Sequence, residues 1–106
     1  MFIVFVNFSL SPTQRPQQLA EDFANISGMF YDVPGLLKKY FTIAEDGHSA
    51  GGVYLWESRD AAEAFYTENF QLIIEERYGA TPQITYFNCP VLVDNQFHYE
   101  FQDFAA

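Results

Sequence analysis

Tyr54 and Trp56 stand two positions apart in a run of strand-forming residues, residues 51–57. Side chains alternate along a β-strand, so the two rings share one face of it. There they could stack an aromatic substrate, and the indole N–H of Trp56 could hold a reactive peroxy group. The competing interpretation is a pair of aromatic residues that only fills the core.

Two further polar groups occur in apolar segments. Asn7 is the one polar residue of residues 2–8, and an amide buried there must find a hydrogen bond. It could orient a substrate carbonyl or enolate, although a loop amide near the strand end would look the same.

Lys39 could lower the pKa of a bound phenol by its charge. The alternative is a lysine whose stem packs and whose amine reaches water.

The chain is rich in aromatic residues, with 12 Phe, 7 Tyr and 1 Trp among 106 residues. Aromatic side chains in such excess fill a pocket or cover a subunit interface, although large core residues of a small protein account for part of the number. Tyr40, Tyr66 and Tyr86 could each donate a hydroxyl group into a pocket, although most core tyrosines only fill space.

The sequence argues against a metal site and against a bound cofactor. It contains two histidines far apart and one cysteine, with no His-x-x-x-His or Cys-x-x-Cys pair. The chain contains no Gly-x-Gly-x-x-Gly or Walker sequence, the glycine-rich loops that bind the phosphates of a nucleotide. We therefore expect no metal ligands and no cofactor.

Charge and hydropathy exclude several partners. The chain has 5 basic and 14 acidic residues, whereas a nucleic-acid or anionic-membrane partner needs a basic face. No apolar run is long enough to span a membrane. The single Cys89 cannot form an internal disulfide, and no secretion signal precedes the first strand. We expect a cytoplasmic protein that binds a small molecule.

The candidate groups are positioned by elements in the order β-α-β-β-α-β. Strands are predicted at residues 2–8, 36–44, 50–57 and 83–88, with residues 91–93 extending the last. The first helix begins at Pro16 and ends before Pro34. The second runs from its cap Ser58 to Gly79, with a break near residues 69–70. This order is that of the ferredoxin-like split unit, a four-stranded antiparallel sheet with both helices on one face.

Alternation along the second strand assigns its side chains to two faces. One face carries Leu37, Lys39, Phe41 and Ile43, and the other carries Leu36, Lys38, Tyr40 and Thr42. The turn Asp46-Gly47 then closes a hairpin onto the third strand.

The first strand is apolar on both faces, which two helices cannot cover together. A second sheet must pack on the remaining face, and a homodimer of face-to-face sheets supplies it. We expect residues 1–95 to form this domain. Residues 96–106 form an aromatic tail that we expect to dock on the partner subunit.

Two motifs point to a known family. The sequence VPGL at residues 33–36 is followed by Lys39 and Tyr40, and HSAGGVYLW at residues 48–56 is followed by two alanines at 61 and 62. Across residues 1–95 the chain resembles the YdhR-like monooxygenases of the dimeric α+β barrel, or antibiotic-biosynthesis-monooxygenase-like, superfamily.

The resemblance implies a pocket in each protomer, between the helices and the sheet. Some superfamily members oxidise quinol-type aromatics with oxygen and without metal or flavin. Others degrade haem, isomerise lactones or close rings. The haem enzymes take an axial histidine from the second helix region, and residues 58–79 contain none.

The leading hypothesis is a homodimeric, cofactor-independent monooxygenase that acts on a small aromatic, quinol or enolisable substrate. Deprotonation would give a carbanion that reduces oxygen directly in a dry pocket. The predicted catalytic residues are Asn7, Tyr40, Trp56 and Tyr86, and the predicted substrate-binding residues are Phe5, Lys39, Tyr54, Phe65 and Tyr66. The sequence shows no strong general base. The alternatives are an oxygen-independent cyclase, isomerase or lyase and a non-catalytic binding dimer.

Overall fold

The computed structural model describes residues 1–97 and 99–102. Their elements are β1 (Phe2–Ser9), α1 (Pro16–Ile26), a 3₁₀ turn (Ser27–Phe30), β2 (Leu36–Ile43), β3 (Ser49–Trp56), α2 (Arg59–Phe65), α3 (Glu68–Tyr78), β4 (Gln83–Asn88), β5 (Val91–Asp94) and β6 (Tyr99–Gln102). None of the helices in this part of the chain is long and apolar enough to cross a membrane.

Four strands form one antiparallel sheet in the order β2-β3-β1-β4, with the helices on one face. The predicted ferredoxin-like fold is confirmed. The two central strands approach most closely at Gly51, where a Cβ atom would lie 1.8 Å from the carbonyl oxygen of Val6. Only glycine therefore fits at this position of β3.

The first helix follows its sequence pattern. Pro16 occupies the first turn, where its missing N–H removes no helical hydrogen bond. Leu19 and Phe23 are buried against Phe8 of β1 and Ala50 of β3. This cluster fixes one end of α1 on the sheet.

The second helical segment breaks earlier than predicted. The predicted break at residues 69–70 is wrong, because α2 ends at Phe65 and α3 starts at Glu68. Ser58 caps α2 by accepting a hydrogen bond from the N–H of Ala61, and Thr67 caps α3 in the same way. Between the two helices Tyr66 leaves helical geometry and turns its ring into the core.

A β-bulge in β2 changes the predicted faces. Leu36 pairs with Trp56 and Lys38 with Leu55, so the register shifts by one residue at Leu37. Leu36 consequently packs against the core, and Leu37 is half exposed. The predicted grouping was wrong for these two leucines, whereas Phe41 and Ile43 share one face as predicted, and the structure shows that α1 packs on it.

Residues 91–94 do not extend β4, because Pro90 cannot donate to the ladder. They form β5, which pairs with β6 in a separate two-stranded sheet. The Nζ atom of Lys38, on the edge strand β2, lies 3.9 Å from Oδ2 of Asp94 on β5, so this hairpin reaches from β4 to the opposite edge. Part of the predicted tail thus pairs within its own chain, while His98 and residues 103–106 lie outside the described residues.

Candidate functional site

A cavity of about 270 Å³ lies between α3, α1 with its 3₁₀ turn, and the helix-covered face of the sheet. Eight aromatic side chains contribute to its wall: Phe8, Phe23, Phe30, Phe41, Tyr54, Phe65, Phe70 and Tyr78. None of the α3 residues is fully buried, although the ring of Tyr78 on this helix stacks on that of Phe8 in β1 with centroids 4.4 Å apart. Its size and lining suit a small aromatic molecule.

Lys39 is the cationic group on the sheet side of the cavity. Its Nζ atom lies 3.4 Å from the ring centroid of Phe30, 4.0 Å from that of Phe41 and 4.5 Å from that of Tyr54. The ring faces attract the charged amine. Burial disfavours the charged form of the amine and has the larger effect. It lowers the pKa of Lys39 to about 7.

An amine with this pKa is half neutral near neutral pH, so it can accept a proton from a bound acid. None of the carboxylates that the structure describes lines the cavity, so none of them stabilises the protonated amine from the cavity wall. Lys39 is therefore the strongest candidate for the general base that the sequence analysis did not identify.

Trp56 lies behind the cavity wall. Its ring stacks on that of Tyr54 with centroids 6.2 Å apart and planes 8° from parallel. Its Nε1 atom donates a hydrogen bond of 3.0 Å to the hydroxyl oxygen of Tyr66. Burial raises the pKa of both Tyr54 and Tyr66, so the two phenols stay neutral at physiological pH.

Polar side chains at the cavity come from α3 and its cap. Thr67, Asn69 and Arg77 line it and are exposed, so they lie where it opens to water. Arg77 lies beside the hydroxyl group of Tyr78. Burial raises the pKa of Tyr78, and the guanidinium partly offsets that rise.

Residues 3–88 match the model of the protein family described as "Putative mono-oxygenase ydhR". The chain belongs to this family. The matched range contains the four-stranded sheet almost entirely, all three α-helices and the cavity between them. None of the curated protein sequences matches the chain.

Solved structures share the fold at low sequence identity. A putative antibiotic biosynthesis monooxygenase from Deinococcus radiodurans is 14% identical with a TM-score of 0.67, over 89% of this chain and 97% of that one. The ActVA-Orf6 monooxygenase of Streptomyces coelicolor, in complex with nanaomycin D, is 19% identical with a TM-score of 0.64, over 83% and 86%. SnoaB from Streptomyces nogalater, a cofactor-independent oxygenase, is 20% identical with a TM-score of 0.58, over 83% and 92%.

Three of the predicted site residues of this YdhR-family chain line the cavity: Lys39, Tyr54 and Phe65. Trp56 and Tyr66 are buried behind them and bonded to each other. Tyr86 lies at the β4 edge on the same face, where its ring contacts those of Phe2 and Tyr66. None of these last three predicted residues lines the cavity.

The other predicted residues lie on the opposite face of the sheet. Along β1, Val6 and Phe8 face the cavity, so Phe5 and Asn7 between them face away from it. Tyr40 is on that outer face of β2 and is 56% exposed. Phe5, Asn7 and Tyr40 therefore do not line this cavity.

Sequence reasoning missed the polar residues of α3. Thr67, Asn69 and Arg77 line the cavity, but none of them is among the predicted site residues. The signal available was the cap at Thr67, which starts a new helix and resets which positions of α3 face the sheet. Among the described residues, no group of three His, Cys, Asp or Glu side chains could hold a metal ion.

Proposed function

We propose that this protein is a monooxygenase that uses no metal or organic cofactor and acts on a small phenol, quinol or enolisable aromatic in the cavity. The observation that carries the proposal is the amine of Lys39, whose pKa is about 7, inside an aromatic cage. Membership of the ydhR family supports the reaction class. So do the similar folds of SnoaB, described as a cofactor-independent oxygenase, and of ActVA-Orf6 with nanaomycin D bound.

The chemistry needs a base, oxygen and a dry site. The neutral amine of Lys39 removes a proton from an activated CH₂ group of the substrate, and the carbanion reduces O₂ and bonds to it. The ammonium returns its proton to the peroxide. Loss of the second C–H proton then breaks the O–O bond, so that R₂CH₂ and O₂ give R₂C=O and H₂O. Tyr54 and Phe65 hold the substrate ring against the cavity wall.

Oxygen uptake with anthrone and a panel of hydroquinones tests this function, with Lys38→Met as the matched control for Lys39→Met. Both variants remove one lysine of β2, but Lys38 points to the outer face. We expect Lys39→Met to slow turnover by roughly 10² to 10⁴-fold, the usual contribution of a positioned base, and Lys38→Met to leave it unchanged. Labelled O₂ should place one oxygen atom in the product and one in water.

Anaerobic exchange of the substrate C–H in D₂O separates this function from an oxygen-independent isomerase, cyclase or lyase. A monooxygenase that uses Lys39 should catalyse exchange without oxygen and consume oxygen when it is supplied. Exchange that depends on Lys39 without any oxygen uptake would overturn the monooxygenase and leave an oxygen-independent enzyme. Ligand binding with neither reaction would leave a non-catalytic binding protein.

We also propose that the protein acts as a homodimer whose sheets pack on their outer faces. Phe5, Tyr40 and Phe87 are 47%, 56% and 43% exposed on that face, and exposed apolar patches of this kind mark interfaces. Docking of the aromatic tail, residues 96–106, on the partner subunit is part of this proposal.

A further inference from the structure

The charges that line the cavity are opposite in sign to those of the whole chain. The sequence carries 14 acidic residues and only 5 basic ones. Of the basic residues, Lys39 and Arg77 both line the cavity, whereas none of the acidic residues that the structure describes does. A concave site with low-dielectric walls and charges of one sign concentrates ligands of the other sign.

The two cations lie on different walls. Lys39 is on β2, on the sheet side, and is enclosed by the rings of Phe30 and Phe41. Arg77 is on α3, in its last turn, and is exposed. A ligand that fills the cavity between the sheet and α3 can therefore contact both.

The two cations suit different acids. The Lys39 amine, half neutral near neutral pH, pairs with a weak acid that gives up its proton on binding, such as a phenol or an enol. Arg77 offers a planar guanidinium group, which matches a carboxylate in two parallel hydrogen bonds.

From this arrangement we infer that the cavity selects aromatic acids with two groups: a phenol or enol at Lys39 and a carboxylate at Arg77. The position of the phenol or enol rests on the proposed function. The carboxylate at Arg77 rests on the lining residues alone. Neutral aromatics of the same size are poorer ligands because they offer the guanidinium no negative charge.

Anaerobic calorimetry with two probes tests the inference: 6-hydroxy-2-naphthoate and 2-naphthol, which differ only in the carboxylate. We expect the wild-type protein to bind the acid about tenfold or more tightly than the naphthol, as a charged hydrogen-bonded pair provides. Arg77→Gln should reduce this ratio to about twofold or less, and Arg77→Lys should restore part of it. Arg15→Gln, which changes an exposed arginine before α1 that does not line the cavity, should keep the full ratio.

Each ratio compares two ligands on the same protein, so a change in folding cancels. Equal affinity of the two probes, or an unchanged ratio in Arg77→Gln, would overturn the inference. The outcome does not depend on oxygen uptake. A preference for the acid without any uptake would overturn the proposed reaction and leave the carboxylate subsite in place, whereas uptake with neutral quinols and equal probe affinities would do the reverse.

Discussion

Trp56 and Tyr66 form a hydrogen-bonded pair of aromatic side chains beneath the cavity, with Nε1 of the indole 3.0 Å from the phenol oxygen. The pair joins the last residue of β3 to the break between α2 and α3. It therefore holds the polypeptide that carries Thr67 and the start of α3 in place. Neither side chain lines the cavity, and the ring of Trp56 stacks behind Tyr54, which does.

Single substitutions in this pair should each leave one buried polar group without a partner. We expect Trp56→Phe and Tyr66→Phe each to lower the free energy of unfolding by about 1–3 kcal/mol. The double variant should cost clearly less than the sum, because it leaves neither the N–H nor the hydroxyl unpaired. Urea unfolding at neutral pH measures all three values. Additive costs would show that the hydrogen bond contributes nothing to stability.

Lys39 should make stability depend on pH in a defined window. Burial lowers its pKa in the folded protein to about 7 from the usual 10.5, so between these values the unfolded chain binds more protons than the folded one. The free energy of unfolding should then rise with pH across this window, by up to about 1.4 kcal/mol per pH unit. At pH values below the window, Lys39 is protonated in both states and should not make the free energy of unfolding depend on pH.

Urea unfolding of the wild type and of Lys39→Met from about pH 6 to about pH 8.5 checks this. The variant should lack the rise, and Lys38→Met should keep it. The upper limit stays below the range in which Tyr54 and Tyr66, whose pKa values burial raises, would oppose the effect by keeping protons that the unfolded chain loses. Parallel curves for wild type and Lys39→Met would contradict a buried, easily neutralised amine.

The pH dependence of turnover should follow the same group with a definite sign. A base acts only when it is unprotonated, so kcat/KM should rise as the pH increases through about 7 and level off above it. Lys39→Met should remove this limb from its residual activity. Initial rates with one substrate over about pH 5.5 to pH 9 measure the profile. Activity that instead falls as the pH rises through 7 would exclude Lys39 as the base.

Two glycines offer a matched test of strand packing. In Gly51→Ala the new methyl group would collide with the carbonyl oxygen of Val6, 1.8 Å away, and force β1 and β3 apart. We expect a loss of roughly 3 kcal/mol or more in the free energy of unfolding. Gly28→Ala meets nothing within 4 Å and should stay within about 1 kcal/mol of the wild type. Thermal melting of both variants decides whether the approach is as close as described.

The fold was predictable because each element carried its own local signal. Pro16, Ser58 and Gly79 marked helix ends by their backbone chemistry, and the two-residue alternation marked the strands. The cavity was not predictable in the same way. Phe5 and Asn7 belong to one face of β1 and Val6 and Phe8 to the other, but both faces are apolar. Local pattern alone therefore could not show which face the helices cover.

The burial of Lys39 could not be predicted from the local sequence pattern either. Its partners Phe30, Phe41 and Tyr54 come from three elements, and its burial depends on how these pack together. In the sequence, Lys39 is a lysine in an apolar strand, a pattern for which a solvated amine is the more ordinary interpretation. A shift in pKa arises from tertiary packing and has no signature in sequence spacing.

The exposed aromatic side chains of the outer sheet face lead to the last prediction, which concerns assembly. If two copies pack on this face, a charge placed there must be buried without a partner. Tyr40→Glu should then convert a dimer into a monomer at micromolar concentration, as measured by sedimentation velocity. Tyr31→Glu is the control, because Tyr31 is 85% exposed beyond the 3₁₀ turn and outside the sheet. A wild-type monomer, or a Tyr40→Glu variant that remains a dimer, would show that the outer face is not the subunit interface.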